Sequence, residues 1–413
     1  MSAARELASR AKQRLFPRRD LPFAHAVEEP APTDAPTTHS VLVKGWMVAP
    51  RGAAEIGFAV DHGGLIPLGT VERPDVSERR PRGRVIGFQG LVAVADATAG
   101  SPWQLVVTVD DATYFRQLPV TIDTNAAAAF ETQKAAKLER IEPLLRCPRP
   151  RVDTPDRRSC LGVLTRARST LTCARCGARY PRTEHSFDFL SRELRGIGNV
   201  VSTDAISSWG YDPIASSIID AVPEGLVLDA GSGLKAHPLP NVINLEIASY
   251  PTTDVLAIGE HLPFATDSFD AVLSLAVLEH VRDPFRCAAE IARVVRPGGR
   301  IYVAVPFLQP YHGYPHHYYN MTRRGLEQLF DDDFVIDASG TPSYGLPIFT
   351  LTWFLRSYLK GLPRETAKRL ASMRVRDLLA DGDDYFEEPF VGQLSTVVEE
   401  ELACANFVLA TKR

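Results

Sequence analysis

Residues 226–233, Leu226-Val227-Leu228-Asp229-Ala230-Gly231-Ser232-Gly233, constrain the fold more than any other stretch. Three apolar residues suited to a buried strand run into an acid and then two glycines one residue apart, the pattern of a strand closed by a tight turn. Glycine tolerates positive φ and, lacking a Cβ, lets a ligand lie against bare backbone amides. Such a turn at a strand's carboxyl end is therefore a natural nucleotide site. Alone, a Gly-x-Gly turn is more often only a turn, so the residues after it decide.

A second short apolar run, Val242-Ile243-Asn244-Leu245, closes on Glu246, an acid placed to accept both hydrogen bonds of a ribose diol. Next come Leu262-Pro263-Phe264, Ser268-Phe269-Asp270, a third strand at 271–275, and Leu278-Glu279-His280. Apolar residues three and four apart (Ala288, Ile291, Val294, Val295) predict a helix, ended by Arg296-Pro297-Gly298-Gly299 ahead of a fourth strand at 301–305.

Taken in that order, these words resemble the class I S-adenosylmethionine (SAM) dependent methyltransferases, over residues 204–330. The resemblance implies a Rossmann-like α/β domain: a mostly parallel seven-stranded sheet with helices on both faces, its reversed last strand near the C-terminus. It also implies that Asp229, Gly231 and Gly233 line the methionine end of SAM, that Glu246 holds the ribose, and that Leu262 and Phe264 sit near the adenine. Two positions depart from the pattern: Ile258 stands where relatives often carry an acid, and Lys235 replaces a third glycine.

The remainder has the composition of an ordinary globular protein: 413 residues, 45% hydrophobic, formal net charge −4. Near-neutral charge argues against a dedicated nucleic-acid binder. With no apolar run near the ~20 residues of a membrane span, a cytoplasmic location is expected. Residues 1–39 are basic and then Pro-rich; the first 20 read either as a helix making peripheral membrane contact or as a solvated terminus. Short β-rich runs between 40 and 123 predict a β-sandwich module, with words at 45–46, 73–76 and 87–88 that resemble modules of glycan-handling enzymes. Trp46, Phe88 and Trp103 there suit a core better than a sugar platform.

A polar connecting helix at 124–142 leads to a unit at 143–192 carrying Cys147, Cys160, Cys173 and Cys176. Cys173-Ala174-Arg175-Cys176 is half of a zinc knuckle, since two intervening residues let both thiolates reach one tetrahedral ion. The unit resembles the zinc ribbons that precede some methyltransferase domains, but twelve residues separate Cys147 from Cys160 where two are usual. Two readings stand: a structural four-cysteine zinc with an inserted loop, or reduced cysteines in a metal-free remnant. If zinc binds, its loss is expected to loosen this unit and spare the catalytic domain.

The methyltransferase-like domain, 193–413, carries an insert at about 340–400. After its fourth strand runs an aromatic and histidine-rich loop, 306–325, which the strand-end rule places over the methyl donor. His312 and His316, with His280 behind them, are the candidates to take a proton from the acceptor, because imidazole titrates nearest neutrality. The loop resembles that of one methyltransferase branch, with His317 and Asn320 replacing an acid and an arginine. Three close histidines could also ligate a metal, but no carboxylate follows at suitable spacing, which makes metal the minor reading of this loop. The apolar stretch at 346–362, interrupted by Pro347, suits core packing or a homodimer contact. The expected activity is methyl transfer from SAM to an oxygen or nitrogen of a small-molecule or glycan acceptor, with a sugar hydroxyl in polysaccharide biosynthesis favoured. The other readings are a non-catalytic SAM-fold binding protein and a scaffold of envelope assembly.

Overall fold

The computed structural model describes residues 21, 23–30, 39–49, 54–60, 66–71, 84–93, 103–109, 112–151, 158–183, 185–201, 206–313 and 316–406. The basic segment at 1–20, the Pro-rich residues 31–38, the word at 73–76 and the second part, 407–411, of the reversed last strand expected at 401–411 lie outside them.

Eight N-terminal strands, β1 (His25–Glu29), β2 (Ser40–Ala49), β3 (Ala54–Val60), β4 (Ile66–Pro67), β5 (Gly69–Val71), β6 (Arg84–Ala93), β7 (Trp103–Val109) and β8 (Ala112–Gln117), form two four-stranded antiparallel sheets ordered β1-β2-β6-β5 and β4-β3-β7-β8. Alternate residues of β2 (Val41, Val43, Met47) meet Trp103, Leu105 and Val107 of β7 in one core, so the sheets pack face to face as the period-2 pattern predicts. Phe88 and Trp103 are buried in that core.

Helix α1 (Thr124–Ile141) follows, capped by the Asp123 carboxylate, which accepts from the Asn125 and Ala126 amides at 3.0 Å. It looks polar in sequence yet buries Lys134, Lys137, Leu138 and Ile141. Beyond it β9 (Leu164–Ala167), β10 (Thr170–Cys173) and β11 (Arg179–Pro181) make a small antiparallel sheet.

The C-terminal half is built on β12 (Phe187–Asp188), β13 (Val227–Ala230), β14 (Val242–Glu246), β15 (Val255–Leu256), β16 (Phe269–Leu275) and β17 (Val295–Ala304), in the order β12-β15-β14-β13-β16-β17. Every pairing is parallel. Burial on both faces explains the unbroken apolar runs. Val227, Val242 and Ala271 point towards α3 (Pro213–Asp220), which follows the short α2 (Arg192–Ile197). Their neighbours Leu228, Ile243 and Val272 point the other way, towards α4 (Pro284–Val294). The result is a Rossmann-like α/β layer with helices on both faces.

Two expectations are corrected. Glu401 and Leu402, placed in the reversed last strand by their sequence, end a helix at Thr396–Leu402, and among the described residues the sheet has six strands, all parallel. After α5 (Arg323–Gln328), Pro347 does not interrupt the apolar stretch: it starts α6 (Pro347–Lys360), where a missing N–H costs nothing. No described helix is long and apolar enough to cross a membrane.

Candidate SAM and metal sites

The Gly231–Gly233 turn leaves the carboxyl end of β13, the central strand beside which the sheet order reverses, where open α/β sheets bind ligands. Gly231 has φ +89° and Gly233 φ +62°, and a Cβ on Gly231 would stand 2.4 Å from Val277 Cγ2. No other residue fits this turn without strain. The Gly231 amide donates to the Leu245 carbonyl at 2.9 Å, tying the turn to the end of β14.

Glu246 stands at that end. Its Oε1 accepts from the Gly233 amide at 2.8 Å and its Oε2 from the Ile247 amide at 2.7 Å. Burial pushes its carboxyl above the usual range against those amide bonds. Asp229 is buried beside it, accepting from Tyr211 Oη at 2.8 Å and paired with Lys235 Nζ at 3.0 Å. Lys235 thus fills the third glycine position by lying over the Tyr211 ring, its ammonium 4.2 Å from the centroid. Sequence reading missed Tyr211 and Lys235 as partners of Asp229; nothing in their spacing signals it.

Leu262 and Phe264 are fully buried, with Phe264 packed edge-on to Phe269 at 4.8 Å, so neither side chain presents surface to a ligand. Ile258 is buried too, in a cluster with Leu190, Leu194 and Leu256. The acid missing at 258 is therefore replaced by core packing between α2 and β15. The residues fit SAM in outline: a turn that excludes Cβ atoms, and two acids at adjoining strand ends.

The four cysteines converge. Cys147 and Cys176 Sγ are 3.6 Å apart, Cys160 and Cys173 Sγ 3.8 Å, and all four sulfurs lie within 4.8 Å of one another. Thiolates at ~2.3 Å from a tetrahedral ion would be about 3.8 Å apart, so the set is the right size for zinc. The inserted loop does not disturb it, because its ends pair: Cys147 N–H bonds the Gly162 carbonyl at 3.0 Å and Leu161 N–H the Cys147 carbonyl at 2.8 Å. Gly162 is required there, since a Cβ would stand 2.5 Å from Cys173 Sγ. The unit shares its core with the sheet: Leu145, Cys147, Leu171 and Tyr180 are continuous with Phe264, Phe269 and Val272.

The histidine-rich loop returns over the end of β16. His280 Nδ1 donates to the His316 carbonyl at 2.6 Å, and His312 Nδ1 to the Pro310 carbonyl at 2.8 Å. The two rings meet edge-on at 5.3 Å. His316 does not join them: its Nε2 takes a bond from Asn199 Nδ2, which also donates to Tyr318 Oη at 3.1 Å. His317 has both ring nitrogens committed, Nδ1 to the His312 amide at 3.1 Å and Nε2 to Asn320 Oδ1 at 2.8 Å. The substitutions at 317 and 320 therefore compensate each other as a pair. Burial holds His280 and His312 below the ordinary imidazole range. Beside them Glu279 is fully buried, and burial pushes its carboxyl up to about 8. Sequence reading passed over Glu279 although Leu278-Glu279-His280 had been singled out, because the loop alone was searched for an acid.

Residues 236–303 match the family model described as "Methyltransferase domain". A demethylmenaquinone methyltransferase of Renibacterium salmoninarum is 33% identical over 134 residues, 29% of this chain and 56% of the relative. An uncharacterized methyltransferase of Mycobacterium bovis is 42% identical over 107 residues, 22% of this chain and 44% of the relative. The chain thus spans about half the length of these two relatives. Among solved structures, a SAM-dependent methyltransferase of Thermotoga maritima, titled a possible histamine N-methyltransferase, is similar at 23% identity and TM-score 0.23, over 28% of this chain and 67% of that one. The matched residues 236–303 fall within the Rossmann-like α/β layer of the C-terminal half.

Proposed function

We propose that the chain is a SAM-dependent methyltransferase acting on an acceptor oxygen or nitrogen, with a sugar hydroxyl of a surface glycan as the favoured acceptor. The observation that carries the activity is the pairing of the Gly231–Gly233 turn with Glu246 across two adjacent parallel strands. SAM, when bound, supplies a methyl group on a positively charged sulfur. The chain's residues hold and orient: the turn's amides and Asp229 face the amino-acid end, and Glu246 exchanges its amide bonds for the ribose hydroxyls. The acceptor must be aligned with the methyl group and relieved of a proton. His280 and His312, whose Nε2 atoms remain free, stand where that proton would leave. Exposed Phe307, Tyr311, Tyr318 and Tyr319 on the same loop offer rings for a sugar to stack on, which with the N-terminal sandwich supports the glycan reading.

A second reading, a SAM-fold protein that does not catalyse, is favoured by the Asp229–Lys235 pair, which already satisfies an acid the cofactor's amino group would use. The two separate on titration calorimetry with SAM. Glu246→Ala removes charge-assisted bonds worth roughly 1.5–3 kcal/mol each and is expected to weaken SAM binding by at least tenfold, and Gly231→Val more. Full-strength binding in both variants would overturn the site, and no binding by the unmodified chain would favour the second reading. A zinc ion held by Cys147, Cys160, Cys173 and Cys176 completes the proposal, on the strength of the sulfur spacing.

A further inference from the structure

Glu279 is the least satisfied group in the C-terminal half. Both its oxygens are buried without a hydrogen-bond partner, in a side chain with no exposed surface. Burial favours the neutral carboxyl here, and a cation bound beside it would do so by displacing that proton. The nearest ionisable neighbour is His280, with Nε2 at 3.8 Å from Glu279 Oε1. One donor atom each from Glu279, His280 and His312 lies within 4.8 Å of the others.

The hydrogen bonds select which histidines can act. His280 and His312 each spend Nδ1–H on a backbone carbonyl, which leaves Nε2 as the unprotonated ring nitrogen of each, and that of His280 stands towards Glu279. A ring N–H donated to a carbonyl is the usual support of a metal-binding histidine, since it fixes the tautomer and the ring plane. His316 and His317 are spent elsewhere. Two imidazole nitrogens and one carboxylate are a donor set that takes zinc or ferrous iron and leaves coordination positions open.

We propose that Glu279, His280 and His312 form a second metal site, distinct from the four cysteines, that binds a divalent transition-metal ion. The ion would supply the positive charge that lets the buried Glu279 ionise. This deepens the methyltransferase reading: an acceptor oxygen would complete the coordination, the ion would lower its pKa so that its proton passes to solvent water, and the two histidines would serve as ligands and not as bases. The metal site itself does not depend on that reading.

Cobalt(II) separates the two sites, because thiolate ligands give an intense near-ultraviolet charge-transfer band and a nitrogen and oxygen site does not. The full-length chain, produced in cobalt-supplemented minimal medium and then titrated with further cobalt under reducing conditions, is expected to bind two ions, one with the thiolate band and one showing visible ligand-field bands only. Glu279→Gln should weaken the second by at least tenfold while the thiolate band persists, which also reports that the variant is folded. His312→Ala, in the loop, is the companion should Glu279→Gln not fold, and should have the same effect. One ion per chain, or a second ion whose affinity survives both substitutions, overturns the site. SAM binding is read separately, so loss of one proposal leaves the other standing.

Discussion

Replacing Asp254 with alanine is expected to destabilise the chain by about 3–5 kcal/mol, the cost of leaving a buried charge without its partner. Asp254 has no exposed surface and meets two ammonium groups, Lys134 Nζ at 2.8 Å and Lys137 Nζ at 2.7 Å, both also buried. Its Oδ2 accepts from the Asn244 amide at 2.8 Å, and Lys134 Nζ donates to the Thr253 carbonyl at 2.6 Å. The cluster therefore clamps α1 to the loop between β14 and β15. Burial lowers the Lys134 pKa while Asp254 raises it, so removing Asp254 takes away what keeps that lysine charged. Chemical denaturation of Asp254→Ala measures the cost. A triple change, Asp254→Leu with Lys134→Met and Lys137→Met, should recover most of it, since a buried ion cluster adds little over apolar residues of similar volume. A loss under about 1 kcal/mol in the single variant would mean that water reaches the cluster.

That clamp shows what the sequence could not disclose. Strands β13, β14, β16 and β17 were legible because each is an apolar run ended by a turn signal, and the glycine turn because two glycines one residue apart require it. Alternation likewise marked the N-terminal sheets. The role of α1 was hidden: its apolar content is low, and lysines at 134 and 137 look like a solvated face until Asp254, more than a hundred residues on, is brought beside them. The short strand β12 gave no signal, as two residues carry no periodicity.

The candidate sites divide the same way. Gly231, Gly233 and Glu246 are read locally, from strand ends. His280 and His312 were named from the loop's composition, but only the fold decides which ring nitrogens are free, and only the fold brings Glu279 to them. Leu262 and Phe264 were placed by resemblance beside a nucleoside; their burial shows that the side chains serve the core. A motif residue can thus be retained by a family for packing.

If the four cysteines hold zinc, as proposed, removing it is expected to unfold more than the small unit that carries them. Read from spacing alone, the ribbon is an appendage whose loss would spare the catalytic domain; in the structure it has no core of its own. Leu145 pairs with Phe264, the Arg146 amide donates to the Pro263 carbonyl at 2.9 Å, and the Ala265 amide donates to the Leu144 carbonyl at 2.8 Å. Past the ribbon, β12 adds to the sheet beside β15. Four thiols left around a vacant centre repack poorly, and Gly162 leaves no side chain to fill it. Structural zinc contributes an apparent ~10–16 kcal/mol to small zinc-dependent domains, as much as the whole ~5–15 kcal/mol stability of an ordinary domain. Cys173→Ser, at a buried cysteine of the cluster in β10, should therefore abolish the proposed thiolate site and lower the melting temperature of the C-terminal α/β domain as well, while the N-terminal sandwich, with its separate core, keeps its own transition. Calorimetric melting resolves the two transitions. An unchanged upper transition in metal-free protein would show that the sheet stands without the ribbon, and that the shared core contributes less than its continuity suggests.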